Sequence, residues 1–173
     1  MIKTWVPILA ACVLMLLSCS SLASDLTAST KKTISVALEN GRLSELPKSA
    51  TKIMAYEWGG LFTGEQFIRF EASADDIEKF VSSSPSIKDV KPEYFTAERQ
   101  LIPYPDEVSD DFLVNKDRRH EYYFRDRQAP DWFEPTIKMK GREYSIPSKG
   151  DHNWGYVIID DEKHIVFIKV IFS

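Results

Sequence analysis

The sequence predicts one small α+β domain: an antiparallel sheet built from two hairpins and packed against one or two helices, following a cleaved signal peptide. Three observations carry that expectation. Two alternating segments, Ile53 to Trp58 and Gln66 to Ala72, flank the glycines Gly59, Gly60 and Gly64. An amphipathic stretch starts at Ser73, and a second pair of apolar segments, Tyr156 to Asp160 and Lys163 to Phe172, ends the chain. Strand pairs separated by a helix and loops, without regular strand–helix alternation, belong to the α+β class.

The 173 residues leave room for a single domain, and 43% apolar with 28% charged residues is ordinary for a folded protein. The net charge of −4 lacks the basic footprint of a nucleic-acid binder. Both cysteines, Cys12 and Cys19, fall in the first twenty residues, so the body has no disulfide, thiolate nucleophile or cysteine metal ligand.

The chain opens on Lys3 and an uncharged run from Trp5 to Leu17. Thirteen residues of helix span about 20 Å, short of the roughly 30 Å hydrocarbon core, so the run reads as a signal-peptide apolar region. Two cleavage sites compete. Ser21-Leu22-Ala23 has the small-x-small form of an ordinary site that releases a chain starting at Ser24. Leu16-Leu17-Ser18-Cys19 resembles the lipobox of bacterial lipoproteins, with Leu17 where a smaller residue is commoner. That resemblance implies a lipid-modified Cys19 at the mature N-terminus, and Ser20 after it implies outer-membrane sorting in a Gram-negative cell. The expected division is then a signal peptide at 1–18, a lipid-anchored tether at 19–33 and a globular domain at 34–173. The tether assignment rests on Ser20 to Thr33, where nine of fourteen residues are Ser, Thr or Ala and no apolar period appears.

Within the body, Ile34 to Leu38 is compatible with strand or helix. In the Ile53–Trp58 segment, Met54, Tyr56 and Trp58 share one side, as expected of a half-buried strand. Ser73 is placed to cap a helix, with Asp76 at the capping-box position and Ile77, Phe80 and Val81 at i, i+3 and i+4. Ser84-Pro85 stops that helix. Pro92 to Pro135 combines five prolines with nine aromatics, which predicts long loops over the sheet and strand character near Tyr122 to Phe124. In the last strand Val166, Ile168, Val170 and Phe172 share one face, while Ile165, Phe167 and Ile171 share the other with Lys169. A strand apolar on both faces belongs in the middle of its sheet.

The search for chemistry yields no catalytic residue, no metal ligand set and no cofactor motif. His120, His152 and His164 have no partners at metal-ligand spacing. The side chains of neighbours Asp151 and His152 diverge, which is unlike an oriented dyad. Asp75-Asp76 reads as helix capping and Asp160-Asp161 as turn chemistry, with Asp110-Asp111 in a solvated loop. Lys116 to Arg127 mixes five basic residues and three aromatics with Asp117, Glu121 and Asp126, and reads as a solvated face, with a binding surface for an anionic glycan or lipid headgroup as the alternative. Trp132 with Phe133, held between Pro130 and Pro135, reads first as packing over the sheet edge and, as the alternative, as a contact for a partner, because pre-ordered aromatics lose little entropy on binding.

Leu46-Pro47-Lys48-Ser49-Ala50-Thr51, Arg69-Phe70-Glu71-Ala72-Ser73 and Pro130-Asp131-Trp132 resemble uncharacterised small bacterial lipoproteins, a likeness that implies no activity. The expected function is a non-enzymatic binding domain, joined to the membrane through lipid on Cys19, with an envelope protein or glycan as partner and no nucleic acid. The alternatives are an immunity or inhibitor protein facing a toxin or hydrolase, and a secreted or periplasmic hydrolase using His152.

Overall fold

The computed structural model describes residues 26–60, 62–95, 100–103, 122–125, 128–134, 140–148, 150 and 152–173. Helix α1 (Ala28–Asn40) begins at Thr27, whose hydroxyl accepts the Thr30 N–H at 3.1 Å. Its buried residues Ile34, Ala37 and Leu38 lie at i, i+3 and i+4, and this helical spacing decides the ambiguous segment. The tether expected to reach Thr33 is therefore helical from Ala28 onward: Thr27 supplies the cap, and packing of the stripe two turns later holds a polar first turn that has no periodicity of its own. Arg42, at φ 49°, turns the chain out of the helix, and the Leu43 N–H closes onto the Leu38 carbonyl at 2.8 Å.

Strands β1 (Thr51–Gly59) and β2 (Gly64–Glu71) form the first hairpin. Gly59 at φ 129° and the Gly60 N–H bonded to the Thr63 carbonyl shape its turn. Helix α2 (Ala74–Ser83) comes next, with the Ser73 hydroxyl accepting the Asp76 N–H at 3.3 Å and Ile77, Phe80 and Val81 buried. Ser84 is extended, as a residue before proline must be, and its buried hydroxyl donates to the Phe80 carbonyl at 2.6 Å.

Three short strands succeed it: β3 (Glu93–Phe95), β4 (Gln100–Pro103) and β5 (Tyr122–Arg125). Strands β4 and β5 pair in parallel as a two-stranded sheet of their own, so the strand expected near Tyr122 is present. The chain ends as a meander of β6 (Gly141–Ile146), β7 (Trp154–Asp160) and β8 (Ile165–Phe172). The six-stranded antiparallel sheet has the order β1-β2-β8-β7-β6-β3, which puts β8 between β2 and β7, a central position. Its two hairpins are joined through β2 and β8 over the full length from Gly64 opposite Phe172 to Glu71 opposite Ile165. The expectation of two hairpins omits β6 and β3. Strand β6 carries only Tyr144 and Ile146 as buried apolar groups, too few to announce a strand before β7 is there to pair with it.

In the β7–β8 turn, Asp160 Oδ1 accepts the N–H groups of Glu162 and Lys163 at 3.0 and 2.9 Å, which is the predicted turn chemistry. His164 ends this turn at φ 54° and is not part of the strand. Gly155 lets β7 lie close on β8, since a Cβ there would come within 2.0 Å of the Lys169 carbonyl oxygen.

The main core lies between the helices and one face of the sheet. Ile68, Phe70, Val157, Ile159, Val166, Ile168 and Val170 meet Ile34, Ala37 and Leu38 of α1 and Ile77, Phe80 and Val81 of α2. Phe70 packs edge-on against Phe80 with ring centroids 5.7 Å apart. At the margin of this face Arg142 of β6 pairs with Asp161 at 2.9 Å and with Glu78 of α2, tying helix to sheet.

Candidate binding surface

The second face of the sheet is built differently. Its centre is a four-residue cluster of Phe67, Phe133, Ile158 and Phe167. Segment 128–134 covers it: Phe133 sets its ring edge-on to Phe67 at 5.0 Å and to Phe167 at 5.6 Å. Phe133 is 1% exposed, so of the two aromatics singled out in the sequence this one is core and not contact surface. Trp132 is half-buried against the same cluster, 6.0 Å from Phe133. The reason is position: segment 128–134 crosses the middle of the open face, where phenylalanines from β2 and β8 need a cover. Cys19 lies outside the described residues, as do His120, Asp110-Asp111 and Asp151.

Beside the cluster sits an ion pair on the sheet itself. Lys169 of β8 meets Glu65 of β2 at 3.1 Å, with side chains only 8% and 18% exposed, and its ammonium lies 5.5 Å from the centre of the Phe67 ring. Burial holds the Lys169 pKa below the ordinary lysine value, and the Glu65 carboxylate only partly offsets this. Further along, Arg69 and Lys52 both reach Glu71, at 2.8 and 2.9 Å. Burial acts to raise the Glu71 pKa, but the two cations and their hydrogen bonds outweigh it and hold the carboxyl below its usual range.

Exposed large apolar side chains lie on the strands beside this polar centre. Tyr56 of β1 stacks on Phe67, which places Tyr56, and with it Met54 and Trp58, on the open face. Tyr156 of β7 packs on the Phe67 cluster, so Trp154, two residues earlier, shares that face. Met54, Tyr56, Trp58 and Trp154 are 36%, 40%, 45% and 50% exposed, and Phe62 in the first hairpin turn is 83% exposed. Met54, Tyr56 and Trp58 are thus on one side of β1, as their spacing says, but it is the opposite residues Ile53 and Ala55 that pack on the main core. Alternation tells which residues share a face; it does not tell which face the helices will cover.

No family model, curated protein or solved structure matches the chain. The arrangement of groups therefore stands alone as the guide to what the surface does.

Strand β1 ends the sheet on one side, with β2 as its single neighbour among the described residues. Its pairing slips between Thr51 and Met54, where Lys52 adopts φ 47°, and is regular from Met54 to Gly59. On the helix side of that regular stretch a chain of amides leads out of the core. Asn40 donates to the Gln66 side-chain oxygen at 3.1 Å, and the Gln66 amide donates to Glu57 at 3.2 Å. Gln66 is fully buried, so both of its amide bonds are fixed and Glu57 is held by a rigid donor. Glu57 also borders a shallow hollow with Trp58, Gly59, Gly60 and Thr63.

The histidines that are described, His152 and His164, are exposed at left-handed turn positions, φ 57° and 54°. Among the described residues no three His, Cys, Asp or Glu side chains gather in a way that would hold a metal ion, and no helix is long and apolar enough to cross a membrane. The residues that sequence reading missed as surface groups are Glu57, Tyr56, Trp58 and Trp154. A strand with large aromatics at every second position beside a glycine turn was the available signal, and it reads equally well as core.

Proposed function

We propose that the chain is a cell-envelope lipoprotein, held at the membrane by acyl chains on Cys19, whose domain is a non-enzymatic binding module for another envelope component. The observation that supports this most is the row Met54, Tyr56 and Trp58, standing exposed on the end strand of a sheet whose other face is filled by helices. Large apolar groups on an open strand edge are an aggregation hazard that a protein without a partner for them does well to avoid. Rigid aromatics with polar tips are also the residue types that dominate contact energies at interfaces. The address rests on Leu16-Leu17-Ser18-Cys19 after an uncharged run. More than one acyl chain gives stable anchoring, each buried methylene contributing about 0.8 kcal/mol.

The test is photo-crosslinking in the native host, with the crosslinker placed at Trp58 or Trp154 and a control at Lys32 on α1, combined with membrane fractionation and intact-mass measurement. The expected result is a membrane-bound chain starting at acylated Cys19, crosslinked to a partner from positions 58 and 154 and not from 32. A soluble chain starting at Ser24 would replace the anchored protein by a secreted or periplasmic one. Absence of a crosslinked partner from both tryptophan positions would sink the binding reading.

A further inference from the structure

We infer that the edge of β1, unpaired among the described residues, is a strand-addition site: it takes an extended segment of a partner protein that alternates apolar residues with a lysine or arginine. Such a site presupposes that the domain is a binding module, and narrows that role to one mode and one class of partner.

The backbone of β1 sets the mode. An end strand presents a row of N–H and C=O groups to whatever lies beside it, and proteins usually blunt such an edge with charge, proline or a bulge. β1 carries the bulge at Thr51–Met54 and Lys52 at one end, and a single charged residue, Glu57, in the stretch beyond. From Met54 to Gly59 the pairing with β2 is regular and the residues are exposed or nearly so, with no proline. Six residues of strand give about 20 Å of edge, the usual length of a paired strand. Peptide recognition by strand addition needs an edge of this kind, with main-chain hydrogen bonds for affinity and alternate side chains for specificity.

The side chains then describe the partner. On the open face an added strand would set its alternate residues beside Met54, Tyr56 and Trp58, where apolar or aromatic groups gain cross-strand contact. On the other face its intervening residue would sit beside Glu57. Every other carboxylate of the hairpin has a cation: Glu65 has Lys169, and Glu71 has Lys52 and Arg69. Glu57 has the Gln66 amide and, among the described residues, no cation. Through the hydrogen bond from the buried Gln66 amide, Glu57 is an exposed carboxylate fixed in place on the end strand. It makes sense as preparation for a positively charged group.

A second copy of the chain does not fit this edge. Antiparallel pairing of two copies about a two-fold axis sets side chains of the same face opposite one another. Met54 to Gly59 contains no lysine or arginine, so Glu57 would face Ala55, Gly59 or the other Glu57. None of these neutralises it, and like charges directly opposite are destabilising.

The experiment is selection of a displayed library of random linear peptides on the mature protein purified from its native host, repeated on Glu57→Gln and Glu57→Lys. The expected winners alternate apolar residues with Lys or Arg. N-methylation of alternate amides in a winning peptide should abolish its binding, because it removes strand hydrogen bonds. Glu57→Gln, which keeps an acceptor for Gln66, should weaken the basic winners about tenfold, and Glu57→Lys should select Asp or Glu in their place. Absence of enriched peptides, binding that survives N-methylation in either register, or an unchanged basic preference in Glu57→Gln would each overturn the inference. If the Trp58 crosslink still forms in any of those cases, the domain binds its partner by another mode; if that crosslink is also missing, the broader reading falls with it.

Discussion

On the helix side of the sheet, Ile68, Phe70, Ile159, Val166, Ile168 and Val170 are all buried beneath α1 and α2. On the other side, neighbouring residues of the same strands are Phe67, Arg69, Phe167, Lys169 and Glu65, and among the described residues the cover is segment 128–134, through Phe133. Each residue of β2 and β8 differs from the next by one step of the pleat, yet one step moves it from a continuous apolar layer to a small aromatic cluster rimmed by ion pairs. The first arrangement is what stability asks for, since apolar area removed from water is the main favourable term in folding. The second has a smaller apolar cluster and places paired charges, themselves largely buried, within the sheet face.

That contrast can be broken by mutation, starting with the largest effect. Phe70→Ala removes a fully buried ring from the helix side and should cost about 3–5 kcal/mol of unfolding free energy, read from urea denaturation. A loss under about 1 kcal/mol, below the range for such truncations, would mean that the helix face is not the principal core.

On the open side, Lys169→Met strands the largely buried Glu65 carboxylate without its cation and should cost about 3 kcal/mol. Adding Glu65→Leu should recover most of that loss, because an apolar pair of similar size needs no compensation for lost hydration. If the double variant stays as unstable as the single one, the ion pair is there for stability and the two faces are alike in purpose.

A smaller effect is confined to acid. The Glu71 carboxyl is held below the ordinary glutamate range in the folded protein: burial acts to raise it, but Lys52 and Arg69 outweigh that and keep it charged. A depressed carboxylate contributes stability above its unfolded pKa, and that contribution disappears as pH falls through the lower folded value. Glu71→Gln should therefore flatten the fall in melting temperature below about pH 4.5, near the ordinary carboxyl pKa. An acid limb unchanged by the substitution would show that the triad does not couple to folding.

The smallest expected effect sharpens the contrast most. Trp58→Ala and Trp154→Ala should each change stability by no more than about 0.5 kcal/mol, as exposed substitutions do, while reducing partner binding. A large loss of melting temperature in either would place these tryptophans in the folding core.

Much of the fold was legible because it is local. Ser73 with Asp76, Ile77, Phe80 and Val81 encodes its own cap and stripe, and α2 starts and buries as those residues require. The apolar doubling of Val166 to Val170 identified a central strand, and β8 occupies that place. Helix α1 was half legible: Ile34, Ala37 and Leu38 have the spacing, but the turn from Ala28 to Thr33 is polar and depends on the Thr27 cap and on the buried stripe after it. Strand β6 was hidden because its ladder is supplied by β7. The candidate surface was legible only as chemistry out of place. Trp132 and Phe133 drew attention for being aromatic between prolines, and Phe133 turned out to be the cover of a second cluster. Met54, Tyr56 and Trp58 were correctly grouped on one side of β1, but their spacing does not say that the helices cover the opposite side, where Ile53 and Ala55 pack.

By itself the sequence determined the class of fold, the α2 cap, both turns of the paired segments and which residues share a face, because each of these comes from backbone geometry over a few neighbouring positions. Tertiary structure alone decided that α1 and α2 lie on the same face, that β2 and β8 join the two hairpins, and that β1 ends the sheet among the described residues. Those outcomes depend on contacts between residues a hundred positions apart, such as Gln66 with Val170, and no local pattern records them. The pleat fixes alternation; only the completed packing decides which half of it meets water.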